Sequence, residues 1–317
     1  MFLNIILSII GFAMLIKCAD FFVSGASSFA KNFKIPTLVI GLTVVAFGTS
    51  APELAISFNS HLSGNTDMMF GNVIGSNIAN VFMILGLAVV IAPFNIQNDA
   101  IRKQIPILLL VTASLSVLFL DGLFYGTVNG LTRADGIILI LFFAVFAYYL
   151  ITLLLQKREK AEAEEKPKYK TLMSTLIMLL GLGGVILGSD LVVNNVAELA
   201  KSIGISQKII AVTIISVGTS LPELATTVIA AKKGENSMAI GNIVGSNIFN
   251  IAIVLGLPVI VLGDVTTTAF GTVDIMFLML SVVVLLAFTI TGRELKRYEG
   301  VIFIALYCVY AGYVIMQ

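Results

Sequence analysis

Ten apolar runs recur along this chain of 317 residues, and each is close to the length that crosses a lipid bilayer. They cover residues 2–16, 37–52, 78–94, 105–120, 137–155, 171–187, 209–222, 248–263, 275–291 and 300–316. With mildly polar flanks, each run approaches the ~20 residues of a membrane helix. Charged residues make up only 12% of the chain, against ~25% in a typical soluble domain. Because the runs do not alternate with the period of two that marks a β-barrel strand, the sequence predicts an all-α membrane protein with ten transmembrane helices.

The two halves of the chain repeat each other at a constant offset of 170 residues, without a gap. The segment GTSAPELA at 48–55 matches GTSLPELA at 218–225. The segment GNVIGSNIAN at 71–80 matches GNIVGSNIFN at 241–250, with seven of ten residues identical. A register kept this long indicates an internal duplication.

A charged segment, 156–170, separates five predicted spans from five others. We therefore expect an N-terminal five-helix half at 1–155, a cytoplasmic linker at 156–170 and a C-terminal five-helix half at 171–317. The α-repeats, the duplicated motif regions, are expected at about 37–91 and 207–261, with broken helices in each. Because each half has an odd number of spans, the two halves enter the membrane from opposite sides, as in many secondary transporters.

Loop charges predict the orientation of these spans. With the N-terminus outside, the inner loops carry 15 lysines and arginines and the outer loops carry 3. Positively charged loops face the cytoplasm. The sequence therefore predicts a multi-pass protein of the cell membrane, with both termini outside and the linker 156–170 inside.

Two carboxylates, Glu53 and Glu223, directly follow the apolar runs 37–52 and 209–222, inside the spans expected once their flanks are counted, and they are equivalent in the repeat. An isolated acid in hydrocarbon costs ~2.5–3.5 kcal/mol on insertion scales, so its usual meaning is a functional site that faces a cavity. An inverted repeat places equivalent residues around an axis near the membrane midplane. We therefore expect Glu53 and Glu223 to lie close together.

A proline precedes each acid and predicts a break in the helix. Pro52 and Pro222 lack an N–H group, and each ring crowds the carbonyl four residues earlier. Carbonyls around 46–48 and 216–218 are expected to leave the helical ladder, which lipid tolerates only where they line a wet cavity or bind a cation. Thr49 and Thr219 lie four residues before the acids and should share their helix faces.

The second motif adds a polar stripe to each half. Residues four apart lie on one helix face, and the stripes are Asn72, Ser76 and Asn80 in one half and Asn242, Ser246 and Asn250 in the other. The glycine pairs at 71/75 and 241/245 have the GxxxG spacing that lets membrane helices approach closely.

The donor set of these motifs consists of oxygen atoms. Carboxylates, hydroxyls, amide oxygens and carbonyls suit hard cations, and irregular coordination by six to eight oxygens is typical of Ca²⁺. Two carboxylates balance one Ca²⁺ or two Na⁺. We expect these ions as substrates, the lipid bilayer as surroundings, no cofactor, no nucleic-acid partner and no required protein partner.

Other functions remain open from the residues alone. A cation channel could use a constriction at Glu53 and Glu223, although channels more naturally close rings of identical subunits. An intramembrane enzyme could use the two acids as acid and base, but the amides and hydroxyls would then be unexplained. Lys17, Asp20 and Asp190, in long first spans of the halves, either snorkel or pair with each other, or belong to an ion pathway.

The duplicated motifs resemble those of the cation/calcium exchanger superfamily. GTSAPE with GNVIGSNIAN, and GTSLPE with GNIVGSNIFN, are similar to the two α-repeats of its sodium/calcium exchanger branch, prokaryotic members included. The likeness covers about 20–90 and 190–260. It implies a secondary active antiporter, not an enzyme, that exchanges Na⁺ for Ca²⁺ by alternating access, with the long first and sixth spans moving against the rest.

The resemblance also implies a set of metal ligands. Ca²⁺ would be bound by Glu53, Glu223, Thr49 and Thr219. Na⁺ would use the same glutamates with Ser50, Ser76, Ser220, Ser246 and the carbonyls of Ala46 and Ser216. Asn80 and Asn250 would face the middle of the site.

One departure from the resemblance bears on ion coupling. Potassium-dependent members and certain prokaryotic exchangers carry aspartate where this chain has Asn250. The missing negative charge in this chain disfavours potassium co-transport and removes a group that could bind a proton. Proton-coupled calcium exchangers usually carry a GNxxE-type motif in place of GTSxPE. A K⁺-dependent Na⁺/Ca²⁺ exchanger and an H⁺/Ca²⁺ exchanger remain the alternatives.

Overall fold

The protein folds as an assembly of long apolar helices, which we describe from a computed structural model for residues 1–96, 100–158, 166–203, 216–292 and 294–316. Within these residues, eight helices are long and apolar enough to cross a membrane. The segments Thr37–Thr49 and Ala51–Leu62, bent by 43° at their junction, meet the same criterion as a pair and bring the count to nine if they form one span. Half of the predicted span 209–222, residues 209–215, lies outside the described residues, so the count of ten stays a prediction.

The first half of the chain contains nine α-helices and three π-helical segments among the described residues. The α-helices are α1 Phe2–Asn32, α2 Thr37–Ile40, α3 Ala46–Thr49, α4 Ala51–Leu62, α5 Thr66–Ala79, α6 Gly86–Ile91, α7 Ile105–Phe119, α8 Asp121–Tyr125 and α9 Arg133–Arg158. The π-helical segments are Gly41–Val45, Asn80–Leu85 and Ala100–Gln104. Two short strands are β1 Phe94–Asn95 and β2 Gly130–Leu131.

The second half follows the same order. Among the described residues of this half, the helices are α10 Thr171–Ser202, α11 Ser216–Thr219, α12 Leu221–Lys232, α13 Asn236–Phe249, α14 Gly256–Leu262, α15 Thr272–Gly292 and α16 Arg297–Met316, with a π-helical segment at Asn250–Leu255. Its strands are β3 Val265–Thr266 and β4 Glu294–Leu295.

The long helices α1 and α10 pack against each other in antiparallel fashion, and their contacts are reciprocal. A Cβ atom added at Gly181 would lie 2.6 Å from the Phe22 nitrogen, and one added at Gly11 would lie 2.9 Å from the Val192 side chain. Residues 11 and 22 become 181 and 192 when the offset of 170 is added. The pair therefore has the contacts that a two-fold relation between the halves requires.

Helix α13 packs closely against the α2–α3 region through its two glycines. A Cβ atom at Gly241 would lie 2.9 Å from the Leu38 carbonyl oxygen, and one at Gly245 would lie 2.7 Å from the Leu42 carbonyl oxygen. Contacts below 3.0 Å are too close for a real side chain, so only glycine allows the two backbones to meet here. The close approach predicted from GxxxG is confirmed for this half.

The short strands also join the two halves reciprocally. Strand β1, after α6, pairs antiparallel with β4, before α16. Strand β3, after the equivalent helix α14, pairs antiparallel with β2, before α9. Each pair connects loops that the predicted order of spans places on the same side of the membrane.

The hairpin between α12 and α13 is attached to α1 by charged groups. The Lys233 Nζ atom lies 2.8 Å from Asp20 Oδ1 and 2.9 Å from the Asp20 carbonyl oxygen. Ser27 donates a hydrogen bond to Glu235 Oε1, and Lys31 Nζ lies 3.9 Å from the same oxygen. Of the alternatives that the sequence left open for Asp20, the structure shows an ion pair, and its partner is Lys233 of the opposite half.

Candidate cation site

The helix break predicted at each proline places both acids at the start of a helix. In the first half the helix ends at Thr49, turns at Ser50 and resumes with α4, whose first turn contains Pro52 and Glu53. In the second half α12 begins after Ser220 in the same way. Because the N-terminal end of a helix carries partial positive charge, each glutamate occupies a position that favours a carboxylate.

The carbonyl groups near the breaks are only partly free. The Ala46 carbonyl still accepts a bond of 3.0 Å from the Ser50 N–H and lies 3.3 Å from the Thr49 hydroxyl, so the expectation that it leaves the ladder is wrong. In the second half, the Ser189 hydroxyl donates to the Gly218 carbonyl at 3.1 Å. In a regular helix the Gly218 carbonyl would accept a bond from the N–H of residue 222, but Pro222 has no N–H. The Ser189 hydroxyl of α10 therefore replaces the missing donor.

The two motif regions meet in the core of the protein. The Ser50 hydroxyl donates to Glu223 Oε1 at 3.0 Å, and the Thr49 hydroxyl lies 3.4 Å from Asn242 Oδ1. Ser50 lies three residues before Glu53, so this bond places the Glu223 carboxylate beside the turn from which the Glu53 helix begins. Glu53 is fully buried and Glu223 is 1% exposed. The expectation that the duplication brings the two acids together agrees with this geometry.

Asparagine side chains connect the second motifs. Asn80 Nδ2 donates to Asn247 Oδ1 at 2.9 Å, and Asn247 Nδ2 donates to the Asn77 carbonyl at 3.1 Å. Asn250 Nδ2 donates to Ser76 Oγ at 3.2 Å. In both halves a π-helical segment begins at the last asparagine of the motif, a distortion that is frequent at functional sites.

The first asparagine of each stripe supports the acid-bearing helix of its own half. Asn72 Nδ2 donates to the Glu53 carbonyl at 3.0 Å and to Ser57 Oγ at 3.1 Å. Asn242 Nδ2 donates to the hydroxyls of Thr226 and Thr227 at 3.1 and 2.9 Å. These amide nitrogens therefore hold α4 and α12 in place.

The site is rich in buried oxygen atoms that lack a hydrogen-bond partner. Within the described residues they are Glu53 Oε1 and Oε2, Glu223 Oε2, Asn77 Oδ1, Asn80 Oδ1, Asn250 Oδ1, Ser220 Oγ and Ser246 Oγ. A buried polar atom without a partner costs ~1–3 kcal/mol, and more if it is charged. All eight can bind a hard cation. The described residues hold no cluster of three or more His, Cys, Asp or Glu residues, so the amides and hydroxyls must complete any coordination shell.

The predicted site residues with described side chains are buried and lie on the segments that meet at the two glutamates. They are Ala46, Thr49, Ser50, Glu53, Ser76, Asn80, Thr219, Ser220, Glu223, Ser246 and Asn250, each at most 9% exposed. Ser216 begins α11, and its side chain lies outside the described residues. Their roles as ligands stay a prediction.

Sequence reasoning missed Asn77 and Asn247. Both are buried, and they contribute an unpartnered oxygen and a bridge between the halves. The signal was available, because Gly-Ser-Asn is identical in GNVIGSNIAN and GNIVGSNIFN. They were not predicted as site residues because they lie off the helix face that carries the i, i+4, i+8 stripe.

These features define an all-helical, multi-pass membrane protein with a buried site of paired motifs and oxygen ligands. Comparison with known proteins is consistent with that class. The chain is 31% identical to the sodium/calcium exchanger MaX1 of Methanosarcina acetivorans, covering 96% of each. It is 35% identical to the inner membrane protein YrbG of Escherichia coli, covering 89% of this chain and 88% of the relative.

The fold is also similar to solved structures of the sodium-calcium exchanger NCX_Mj. One of them, from a crystal soaked with Na⁺ and Sr²⁺, matches with a TM-score of 0.85 and 29% identity, covering 98% of each chain. The sodium/calcium exchanger protein family matches residues 3–152 and 173–316. The chain belongs to this family.

Proposed function

We propose that this protein is a secondary active antiporter that exchanges Na⁺ for Ca²⁺ by alternating access. The observation that carries the proposal is the cluster of buried, unpartnered oxygens around Glu53 and Glu223. Two carboxylates held near each other without a cation repel strongly at low dielectric. One Ca²⁺ or two Na⁺ would neutralise them, so replacing one kind of ion by the other keeps the site neutral. Family membership and the likeness to NCX_Mj support the same function.

Both ions would share the two glutamates. Ca²⁺ would add the hydroxyls of Thr49 and Thr219. Na⁺ would add Ser50, Ser76, Ser220, Ser246 and the carbonyls of Ala46 and Ser216, with Asn80 and Asn250 at the middle of the site. The burial of these side chains supports the assignment, and so does the bond from Ser50 to Glu223, which already joins two proposed ligands.

The proposed topology has ten spans in two inverted halves, 1–155 and 171–317, with the linker 156–170 in the cytoplasm and both termini outside. Contacts between loops support this order. The β1–β4 pair joins two loops that would both be cytoplasmic, and the Lys233–Asp20 pair attaches a further cytoplasmic loop to helix α1. The β2–β3 pair and the bond from Thr66 to the Thr266 carbonyl join loops that would all be external.

Two related functions compete with this proposal. A potassium-dependent or proton-coupled exchanger would benefit from a third acid at the centre, whereas this chain has Asn250, whose amide donates to Ser76. A cation channel would need an open path, whereas Glu53 and Glu223 are buried.

The test uses purified protein in liposomes loaded with Na⁺. We expect ⁴⁵Ca²⁺ uptake driven by the outward Na⁺ gradient, unchanged when K⁺ is omitted and absent when a pH gradient replaces the Na⁺ gradient. Glu53→Gln and Glu223→Gln should each abolish uptake, because each removes half of the charge that holds the cation. Glu299→Gln is the matched control, since Glu299 is also buried, at 4% exposed, but caps the start of α16 by accepting from the Lys296 N–H.

Several outcomes would reject the proposal. Uptake that requires K⁺ or a pH gradient would favour the related exchangers. Currents in planar bilayers too large for a carrier cycle would favour a channel. Near-normal uptake in both glutamine variants would remove the two acids from the mechanism.

A further inference from the structure

Equivalent residues of the two repeats have different hydrogen-bond partners in this structure. Asn247 reaches across to the other half, where its Oδ1 accepts from Asn80 and its Nδ2 donates to the Asn77 carbonyl. Asn77, its equivalent, turns back on its own helix and donates to the Val73 carbonyl at 2.7 Å. Two identical residues in a duplicated motif therefore occupy two distinct arrangements.

The atoms that lack partners are the ones that the reverse arrangement would use. Exchanging the halves turns the bond from Asn80 to Asn247 Oδ1 into a bond from Asn250 to Asn77 Oδ1. The Asn77 oxygen is buried and has no partner in the structure. The acceptor that the reverse bond needs is thus present and unoccupied.

Two further bonds follow the same rule. The bond from Asn250 to Ser76 Oγ would become one from Asn80 to Ser246 Oγ, and the Ser246 hydroxyl is unpartnered. The bond from Ser50 to Glu223 would become one from Ser220 to Glu53. Ser220 Oγ and both carboxylate oxygens of Glu53 are likewise unpartnered.

We propose that Asn77 and Asn247 are positioning residues that exchange roles during transport. In the described state Asn247 joins the halves and Asn77 bonds within its own helix, and in the oppositely facing state Asn77 joins the halves and Asn247 turns back. This inference rests on the proposed exchange by alternating access.

The energetic reason is that the exchange conserves hydrogen bonds. Each hydrogen bond lost between the halves is replaced by the equivalent bond between the exchanged residues, so the two states keep similar free energies. A transporter needs this near-balance, because a ligand shifts an equilibrium only by its differential affinity for the two states. A fixed network that suited one state alone would trap the protein there.

The test compares Asn247→Ala with Asn77→Ala in vesicles of known orientation. The readout is the ratio of the half-saturating Ca²⁺ concentrations at the outer and inner faces. Asn247→Ala removes bonds from the described state, and Asn77→Ala removes them from the opposite state. Since apparent affinity falls with the population of the competent state, we expect the ratio to move in opposite directions, each by about tenfold, which equals about 1.4 kcal/mol.

Matched variants separate this role from a merely structural one. The double variant Asn77→Ala/Asn247→Ala should return the ratio to near the wild-type value, because both states lose equivalent bonds. Asn77→Ser and Asn247→Ser provide the same comparison if an alanine variant fails to fold. Ratios that move in the same direction, or that do not move, in the folded pair would overturn the inference. Absence of Na⁺-driven uptake in the wild type would instead overturn the proposed function.

Discussion

Replacing Gly245 by alanine should disturb the contact between α13 and the segment that carries the proposed ligand Ala46. A Cβ atom at position 245 would lie 2.7 Å from the Leu42 carbonyl oxygen and 2.8 Å from the Ala46 Cβ. Ordinary van der Waals contact lies between 3.4 and 4 Å. Both partners are rigid atoms of another helix, so the backbone must move by about half an ångström or more to relieve the overlap.

The size of the effect follows from two opposing terms. Overpacking a close helix contact costs about 1–3 kcal/mol, whereas glycine-to-alanine in a helix gains about 1 kcal/mol of propensity. Gly183→Ala is the matched control, because it lies inside α10 with nothing within 4 Å of its added Cβ. Both variants gain the propensity term, so the difference between them isolates the overlap at about 1–3 kcal/mol.

The first assay is apparent thermal unfolding of the purified variants in detergent. At roughly 2 °C per kcal/mol for a chain of this size, Gly245→Ala should unfold about 2–6 °C below Gly183→Ala. The second assay is Na⁺-driven Ca²⁺ uptake. The half-saturating Na⁺ concentration should rise several-fold in Gly245→Ala, because the Ala46 carbonyl moves, and should stay at the wild-type value in Gly183→Ala.

The reasoning fails if the two variants unfold at the same temperature and share one Na⁺ dependence. Equal unfolding temperatures would mean that α13 and the α2–α3 region do not touch at Gly245. If Gly245→Ala unfolds at a lower temperature but keeps the wild-type Na⁺ dependence, the helix contact is supported and Ala46 is not a sodium ligand.

Two further substitutions test other parts of the structure. Lys233→Met should lower the apparent unfolding temperature by about 2 °C, because its pair with Asp20 is partly exposed, with side chains 28% and 48% accessible, and such pairs contribute up to about 1 kcal/mol. Adding Asp20→Asn should lower the temperature little further. Additive losses would show that the two groups do not interact. Asn250→Asp would add a third carboxylate to the proposed ligand set of Glu53 and Glu223, so we expect Ca²⁺ uptake to fall on acidification more steeply than in the wild type. Identical pH profiles would place residue 250 away from the ions.

The sequence predicted the local structure of the motifs correctly wherever the chemistry of a single residue determines it. Proline cannot continue the helical ladder, so the helix break next to Glu53 follows from residue 52 alone. The meeting of Glu53 and Glu223 follows from the offset of 170 and the odd number of expected spans. Neither inference needed knowledge of side-chain packing.

Partner choice could not be predicted in the same way. Asp20 has Lys17 nearby in sequence but pairs with Lys233 of the opposite half. Asn77 and Asn247 have the same sequence surroundings and yet bond differently. These choices depend on how distant segments pack, and a repeat pattern treats the two halves as equal.

The two halves differ in the hairpin that follows the acid-bearing helix, far from the nearly identical motifs. In the second half, Lys233 and Glu235 bind α1, whereas their equivalents in the first half are the uncharged Ser63 and Asn65. Asn65 instead caps its own helix by accepting a bond of 3.2 Å from the Met68 N–H. The motif residues around Glu53 and Glu223 are nearly identical in the two halves, so they give little preference for either arrangement of the asparagines. If the asparagines exchange roles as proposed, contacts that only one half can make would set the balance between the two states, while the repeated residues would keep both states accessible.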